Sequence, residues 1–256
     1  MVQTLKVLSH NCIAKGVYLL TAETPEMACA SLPGQFVMVK GWEGNDPFLM
    51  RPFCIDAVDR ERGTLSVLYK VKGKGTELLS KAAVGSAVQM IGPLGHGWPI
   101  PKGARRIAIV GRGIGIAAIW LLAEDCRRNG IEVVAYLSAK CEEELFHRSD
   151  MECAGVLVRA TTNPMLKITD AFARDCETMH FDAAYSCGSK RLAGEMKKLH
   201  AQYGFPGYIS LEEHMACGIG ACKGCVCETR ESENGEVRYA RVCKDGPVFP
   251  IDNVVL

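Results

Sequence analysis

Cysteine spacing is the most informative chemical feature of the sequence. Five of the thirteen cysteines lie close together near its end, at Cys217, Cys222, Cys225, Cys227 and Cys243. Cys217, Cys222 and Cys225 have the spacing C-x4-C-x2-C, and Cys243 follows at a distance. This arrangement is typical of a [2Fe–2S] cluster. A structural zinc site more often uses symmetric pairs of closely spaced ligands. The spacing therefore favours a [2Fe–2S] cluster held by Cys217, Cys222, Cys225 and Cys243.

The residues around these cysteines support a compact loop. Gly218, Gly220 and Gly224 separate them, and glycines allow the backbone to wrap closely and point N–H groups at sulfur atoms. Cys243 is the better fourth ligand because residues 242–247 form a separate turn that can return to the loop. Cys227 stays open as an alternative ligand. The other eight cysteines occur singly from Cys12 to Cys187, and we expect them to be small buried hydrophobic residues.

A glycine-rich turn is the second feature that could carry chemistry. Gly111, Gly113 and Gly115 follow an apolar run and precede a helical pattern, where a phosphate-binding turn belongs. The turn does not match G-x-G-x-x-G, because its third glycine comes one residue early. A tight strand-to-helix turn without a ligand could use the same glycines. Arg112 could pair with a phosphate or crowd its approach.

The first hundred residues predict β-structure. Four short runs rich in β-branched and aromatic residues are separated by Gly, Pro, Asn and Asp turns. The runs are Gly16–Leu20, Gln35–Lys40, Thr64–Tyr69 and Ala87–Ile91. A helical pattern competes only over 75–82. This spacing indicates a small antiparallel barrel.

After residue 100 the pattern changes to alternating strands and helices. Apolar runs over 106–110, 131–138, 155–160 and 181–187 predict strands, the first of them covered on both faces. Helical patterns over 116–128 and 190–203 end near Gly130 and Gly204, which are typical helix-terminating residues. Strands that alternate with helices predict a parallel sheet.

We therefore expect a multidomain protein of β and α/β units. The predicted limits are a β-barrel over 1–100, an α/β domain over 101–206 and a small [2Fe–2S] domain over 207–256. The last segment is too short to form its own hydrophobic core, so a metal site must hold it.

Composition excludes several classes of function. The 256 residues carry a formal charge of +1 and no basic stripe, which argues against a nucleic-acid partner. The N-terminus lacks the apolar core of a signal peptide. No stretch approaches the roughly 18 uninterrupted apolar residues of a membrane helix. We expect a cytoplasmic protein without a membrane partner.

Three segments together resemble a known family. They are Arg51-Pro52-Phe53-Cys54-Ile55, the turn Gly111–Gly115, and the stretch 215–227 with 242–249. Nearly the whole chain resembles the electron-transfer subunits of class 1B dihydroorotate dehydrogenases, within the ferredoxin–NADP reductase superfamily. The resemblance implies an FAD-binding β-barrel, an NAD(H)-binding α/β domain and a C-terminal [2Fe–2S] domain.

The resemblance also implies particular cofactor contacts. The predicted cofactor-binding residues are Arg51, Pro52, Phe53, Cys54, Leu68, Tyr69, Lys70, Gly75 and Thr76 for FAD, with Gly111, Gly113, Gly115 and Cys187 for NAD(H). Arg51 would neutralise the FAD pyrophosphate, a role that suits guanidinium geometry. Three positions depart from the family pattern: Cys54 replaces a serine, Arg112 replaces a glycine, and Ala118 stands where proline is common. Near Cys187-Gly188-Ser189-Lys190 the family often has Cys-Gly-Pro, so the match there is partial.

The function implied is an electron relay. NADH would reduce FAD, and the [2Fe–2S] cluster would pass single electrons to an FMN-containing catalytic subunit of the dihydroorotate dehydrogenase type in pyrimidine biosynthesis, or the reverse. The family suggests a heterotetramer of two plus two subunits. The alternatives are a reductase subunit serving another dihydropyrimidine or ferredoxin-linked enzyme, and a non-enzymatic redox sensor. No arrangement of side chains predicts a separate catalytic residue, and we expect His214 at the surface.

Overall fold

The computed structural model describes residues 1–230 and 235–255, and its first part is a closed six-stranded antiparallel barrel with the order β1-β2-β5-β4-β3-β6. The strands are β1 Gln3–Ala14, β2 Val17–Glu23, β3 Phe36–Lys40, β4 Arg51–Asp59, β5 Thr64–Lys70 and β6 Ala87–Leu94, with short helices α1 Pro25–Ala30 and α2 Lys74–Leu79. Alternate side chains such as Leu20, Val37 and Val67 point inward and fill the barrel. The predicted barrel is confirmed.

The central part is a doubly covered α/β sheet. Its elements are β7 Arg106–Arg112, α3 Ala117–Arg128, β8 Glu132–Ser138, α4 Arg148–Cys153, β9 Leu157–Thr161, α5 Ile168–Cys176, β10 Ala183–Cys187, α6 Lys190–Tyr203 and β11 Gly207–Ser210. Strands β7 to β11 pair in parallel. Two hydrophobic clusters cover the opposite faces of the sheet, which explains the continuous apolar runs.

The C-terminal part adds β12 Val226–Arg230, β13 Val237–Arg241, α7 Val242–Asp245 and β14 Val248–Pro250. Strands β12 and β13 form a hairpin, whereas β14 pairs antiparallel with β11 at the edge of the large sheet. Phe36 and Met38 of the barrel pack with Val242 and Phe249 in one cluster. The described residues after 206 thus share strands and core with the rest of the chain, and the predicted domain limits stay a prediction.

The isolated cysteines differ from expectation. Only Cys126 and Cys187 are buried, and Cys54 and Cys176 are half-buried. The other four, Cys12, Cys29, Cys141 and Cys153, are exposed. The prediction of uniform burial was wrong because it rested on the average behaviour of cysteine, while these four lie on the solvent-facing sides of surface elements. None of the described helices is long and apolar enough to span a bilayer.

A half-buried histidine, with the two carboxylates it contacts, forms a clasp that joins the barrel to the α/β sheet. His147 Nε2 lies 2.7 Å from Oδ1 of Asp56 in β4, and Nδ1 lies 2.9 Å from Oδ2 of Asp150 in α4. The ring stacks on Trp120 of α3 at 5.1 Å between centroids. Asp56 is only 1% exposed. Burial alone would lower the pKa of His147, but hydrogen bonds and charge from the two carboxylates outweigh it and raise that pKa.

This clasp predicts a pH-dependent contribution to stability. Because the pKa of His147 is raised on folding, the stabilisation is fully present below its ordinary value of about 6.5 and is lost as the pH rises through the folded value. We expect His147→Gln to lower the free energy of unfolding by about 2 kcal/mol near pH 6, and by less near pH 9. Chemical denaturation across this pH range, with exposed His180→Gln as control, measures it. A constant difference between wild type and His147→Gln would contradict the clasp.

Candidate functional site

A cavity of about 800 Å³ opens where the barrel meets the α/β sheet. The barrel strands and the segment between β5 and β6 contribute Phe36, Arg51, Pro52, Phe53, Cys54, Leu68, Tyr69, Lys70, Lys72, Gly73, Lys74 and Thr76. The rest of the chain contributes Ile114, Gly115, Ala117, Lys190, Leu211, Glu212, Glu213, His214, Met215 and Pro247. The cavity therefore brings together most of the predicted FAD contacts and one glycine of the predicted phosphate-binding turn.

One end of the cavity is built for an anion. The guanidinium of Arg51 lies beside Gly75, where a Cβ atom would come within 2.8 Å of Nε and would force the guanidinium to shift. Nη1 of Arg51 donates to the Leu49 carbonyl, which fixes the direction of the group. The Thr76 hydroxyl accepts the backbone N–H groups of Lys72 and Gly73 at 2.9 and 3.1 Å. A fixed guanidinium with neighbouring cations suits the pyrophosphate of a dinucleotide.

Lysine side chains differ in how far they are free to bind an anion. Lys70 Nζ lies 2.6 Å from Glu144 of the α/β unit, and Lys74 Nζ lies 2.5 Å from Asp46. Both charges therefore already have partners in this structure. Lys70, predicted as a flavin contact, lines the cavity while it joins the barrel to the α/β unit.

The middle of the cavity has an aromatic wall. Phe53 and Tyr69 pack at 5.0 Å between ring centroids, and Tyr18 stacks behind Tyr69 at 5.8 Å. Tyr69 is 1% exposed, and burial raises the pKa of its hydroxyl above the ordinary value. Leu68 and Pro52 complete an uncharged surface. Such a wall suits a flat, uncharged ring system.

Two thiols and a carboxylate lie near the far end of the cavity. Burial, followed by the charges of Glu212 and Asp56, raises the pKa of Cys54 to about 12. Burial and the charges of Cys54 and Glu212 also place the pKa of Cys187, at the end of β10, well above its ordinary value. Cys54 lines the cavity, whereas Cys187 is buried behind it. Both sulfurs are therefore protonated at neutral pH, and this part of the site carries no thiolate charge.

The glycine-rich turn lies at the carboxyl end of the parallel sheet. Residues 113–116 form a 3₁₀ turn between β7 and α3. A Cβ atom at Gly115 would come within 2.5 Å of the Cys187 carbonyl oxygen, so this glycine permits close approach of two strand ends. Gly113 has φ +55° and open space around it, and Arg112 is exposed. The crevice beyond the strand ends, between β7 and β10, is where sheets of this type bind ligands.

The cysteine loop packs against the barrel through its glycines. Gly218 and Gly220 have φ values of +70° and +83°, and a Cβ atom at Gly218 would come within 2.5 Å of Met38. Gly224 was expected to supply backbone freedom to the loop. The left-handed residue in that part of the loop is instead Lys223, with φ +57°. The loop therefore depends on two glycines and one strained lysine.

The four predicted ligand cysteines form two pairs. The backbone N–H of Cys222 donates to Sγ of Cys217, and that of Cys243 donates to Sγ of Cys225, each at 3.4 Å. No group of three or more His, Cys, Asp or Glu side chains in the described part of the chain is arranged to hold one metal ion. A zinc ion needs four ligands around one centre, whereas each iron of a [2Fe–2S] cluster takes two cysteines. The pairing thus fits the two-iron cluster better than zinc.

The surroundings of these sulfurs are unequal. Burial would raise the pKa of Cys217, but backbone N–H groups, chiefly that of Cys222, lower it to about 6. Burial raises the pKa of Cys243 to about 12. Cys227, the open alternative, is half-buried in β12 opposite Ala240, and burial raises its pKa to about 11. Donated N–H groups favour a thiolate ligand, so Cys217 is the best prepared of the three.

Several cavity residues were not predicted from the sequence. Lys72, Lys74 and Lys190 add positive charge, while Glu212 and Glu213 add negative charge beside the thiols. His214, expected at the surface, is exposed but also lines the cavity. The available signal was position: residues 211–215 directly precede the first cluster cysteine, so they had to lie close to both sites.

Two family models match the chain. The oxidoreductase FAD-binding domain matches residues 2–98, and the iron-sulfur cluster binding domain of dihydroorotate dehydrogenase B matches residues 212–255. These matches confirm the predicted FAD-binding barrel and iron–sulfur segment. They leave the individual contacts as predictions.

Solved structures share the fold. The NADH-dependent reduced ferredoxin-NADP oxidoreductase superposes with a TM-score of 0.85 at 23% identity, covering 98% of this chain and 89% of that one. Phthalate dioxygenase reductase superposes with a TM-score of 0.67 at 18% identity, covering 95% and 77%.

Curated relatives match nearly the full length. The dihydroorotate dehydrogenase B (NAD(+)) electron transfer subunit of Geobacillus thermodenitrificans is 36% identical over 262 aligned residues, covering 99% of this chain and 98% of that protein. The subunit of the same name from Bacillus cereus strain Q1 is 36% identical over 264 residues, with the same coverage. The chain therefore belongs to the family of dihydroorotate dehydrogenase B electron transfer subunits.

Proposed function

We propose that this chain takes electrons from NADH and delivers them, through FAD in the central cavity and a [2Fe–2S] cluster in the cysteine loop, to a catalytic subunit of the dihydroorotate dehydrogenase type. The supporting observation is continuity. Met215 lines the cavity, and the first cluster cysteine, Cys217, follows two residues later. Both sites are therefore neighbours in one packed structure. Electron flow in the opposite direction, from dihydroorotate to NAD⁺, would use the same path.

The cavity residues would hold FAD in a fixed orientation. Arg51 would bind the pyrophosphate, in the space that Gly75 leaves open, with Thr76 holding the adjoining turn. Pro52, Phe53, Leu68 and Tyr69 would pack against the flavin ring, and Lys70 would line its edge. The neutral Cys54 thiol would be a weaker hydrogen-bond donor than the usual serine hydroxyl. When bound, FAD accepts two electrons and can release them one at a time, which suits a one-electron cluster.

The strand ends of the α/β unit would receive the nicotinamide cofactor. Gly111, Gly113 and Gly115 would let its phosphates approach the start of α3, and Cys187 would lie behind the nicotinamide ring. Arg112 is exposed beside this turn, so its guanidinium is accessible to a phosphate. This accessible position supports pairing of Arg112 with a phosphate rather than steric crowding of the phosphate by Arg112.

The cluster loop would face the partner. Cys222 and Ile219 are exposed at the tip of the loop, whereas Cys225 and Cys243 are buried against the barrel. Transfer to an FMN-containing catalytic subunit, in a heterotetramer of two plus two subunits, would use this exposed edge. Thirteen unpaired cysteines suit a reducing compartment, so we place the protein in the cytoplasm.

An anaerobic NADH titration tests the relay. We expect NADH to bleach the flavin and iron–sulfur absorbance together, because the two sites adjoin. Dithionite reduction of the same sample gives the full amplitude for comparison. If dithionite bleaches both chromophores and NADH bleaches neither, the nicotinamide assignment is wrong and another electron donor must serve the flavin.

Serine substitutions test the cluster ligands. Cys222→Ser should remove the cluster absorbance and abolish transfer to the partner while FAD stays bound, because one iron loses a thiolate. Cys227→Ser is the matched control, since its half-buried sulfur is paired with neither cysteine couple. Iron content, visible absorbance and partner reduction are measured for both variants. If the Cys222→Ser variant still reduced the partner, that result would contradict the proposed relay.

Arg51→Gln tests the anion end of the cavity. Loss of a charge-assisted contact to pyrophosphate should weaken FAD binding by about tenfold to hundredfold, because such contacts contribute about 1.5–3 kcal/mol. Arg62→Gln, at a side chain that is 84% exposed, is the control. Flavin fluorescence titration of the apoprotein gives the dissociation constants. Equal affinities in the two variants would argue against Arg51 as the pyrophosphate ligand.

A further inference from the structure

His10 makes two hydrogen bonds behind the aromatic wall. Its Nδ1 lies 2.8 Å from the Ala82 carbonyl oxygen, and its Nε2 lies 2.9 Å from the Tyr69 hydroxyl. A carbonyl can only accept, so Nδ1 donates to it, and in the neutral ring Nε2 then accepts the O–H of Tyr69. The two bonds together fix the tautomer and the ring orientation.

The ring also begins an aromatic series across the barrel. His10 lies 5.3 Å from Tyr18, Tyr18 lies 5.8 Å from Tyr69, and Tyr69 lies 5.0 Å from Phe53, all between centroids. Strands β1, β2, β5 and β4 each contribute one ring, and these strands are consecutive neighbours in the barrel. Only the last two rings line the cavity.

The hydrogen bond to Ala82 holds the turn that follows α2, the helix whose first residues border the anion end of the cavity. Ala82 closes the turn that follows α2, with its N–H donating to Leu79 at 2.9 Å. The same short segment begins with Lys74, Gly75 and Thr76, beside Arg51. His10 therefore ties the segment that borders the anion end to the ring that borders the flavin end.

We propose that His10 is a positioning residue of the flavin site, which holds Tyr69 and the α2 segment in the arrangement that FAD requires. This inference rests on the proposed placement of FAD in the cavity. No residue of β1 is among the cavity-lining residues of the described chain, so His10 acts through its two partners. Tyr69 is almost fully buried, and without His10 its hydroxyl loses the partner that the structure shows.

Four variants separate this role from general packing. His10→Phe keeps a ring and removes both hydrogen bonds, and Tyr69→Phe removes one. The double variant tests their coupling. His10→Gln restores a donor and an acceptor on one planar group. His180→Phe, at an exposed histidine, is the matched control.

FAD dissociation constants, from flavin fluorescence titration of each apoprotein, give the main result. We expect His10→Phe and Tyr69→Phe each to raise the FAD dissociation constant about fivefold to tenfold. The double variant should have a dissociation constant no higher than that of the weaker-binding single variant. His10→Gln should return to within about twofold of wild type. Cluster absorbance and the thermal midpoint, measured on the same samples, show whether each variant is folded.

The outcomes are decisive in each direction. His10→Phe binding within about twofold of wild type, or effects that multiply in the double variant, would overturn the positioning role while leaving FAD in the cavity. A failure of His10→Gln to recover affinity while it stays folded would also count against it. Wild-type protein that binds no FAD would overturn both this inference and the proposed function.

Discussion

The packing of α3 against the barrel is the contact on which the site depends. Leu121 of α3 lies in the barrel core, and the Ala118 carbonyl accepts the Trp98 indole N–H at 3.0 Å. Because α3 begins directly after the glycine-rich turn, this contact also fixes that turn relative to β4 and β5. The cavity is the space left between elements that are already held by buried apolar surface. Its shape therefore follows from the core and does not require a ligand to create it.

The parts predicted from sequence are those with local signals. The continuous apolar run over 106–110 and the glycine after 190–203 placed β7 and α6 correctly, and cysteine spacing predicted the iron–sulfur segment. Strand β4 escaped prediction because Arg51, Cys54 and Asp56 interrupt its apolar alternation, although each has a structural place. Helix α5 escaped because its nine residues carry mixed charge. Lys190 and Glu213 form an ion pair only through tertiary folding, which no local pattern records.

Cysteine takes three different chemical characters within this one chain. Burial outweighs the hydrogen bonds that reach Cys54 and Cys187 and keeps both thiols protonated beside the cavity. Backbone N–H groups that point at sulfur lower the pKa of Cys217 in the loop. Exposed thiols such as Cys141 lie outside both sites. The residue type alone therefore says little, because the pKa of each thiol depends on the balance between burial and the hydrogen bonds donated to its sulfur.

The antiparallel pairing of β11 with β14 gives the cluster segment an unusual attachment. The chain leaves the sheet at Leu211 and returns at Pro247, and Leu211 N–H donates to the Pro247 carbonyl at 2.9 Å. The segment is thus a loop whose two ends are held together by strand pairing. The entropic cost of bringing these ends together is therefore already offset by the sheet. If the loop opened on loss of iron, the opening would be confined to the residues between Leu211 and Pro247. The large sheet would keep β14 as its edge strand. A new cluster would assemble in a loop that is held at both ends.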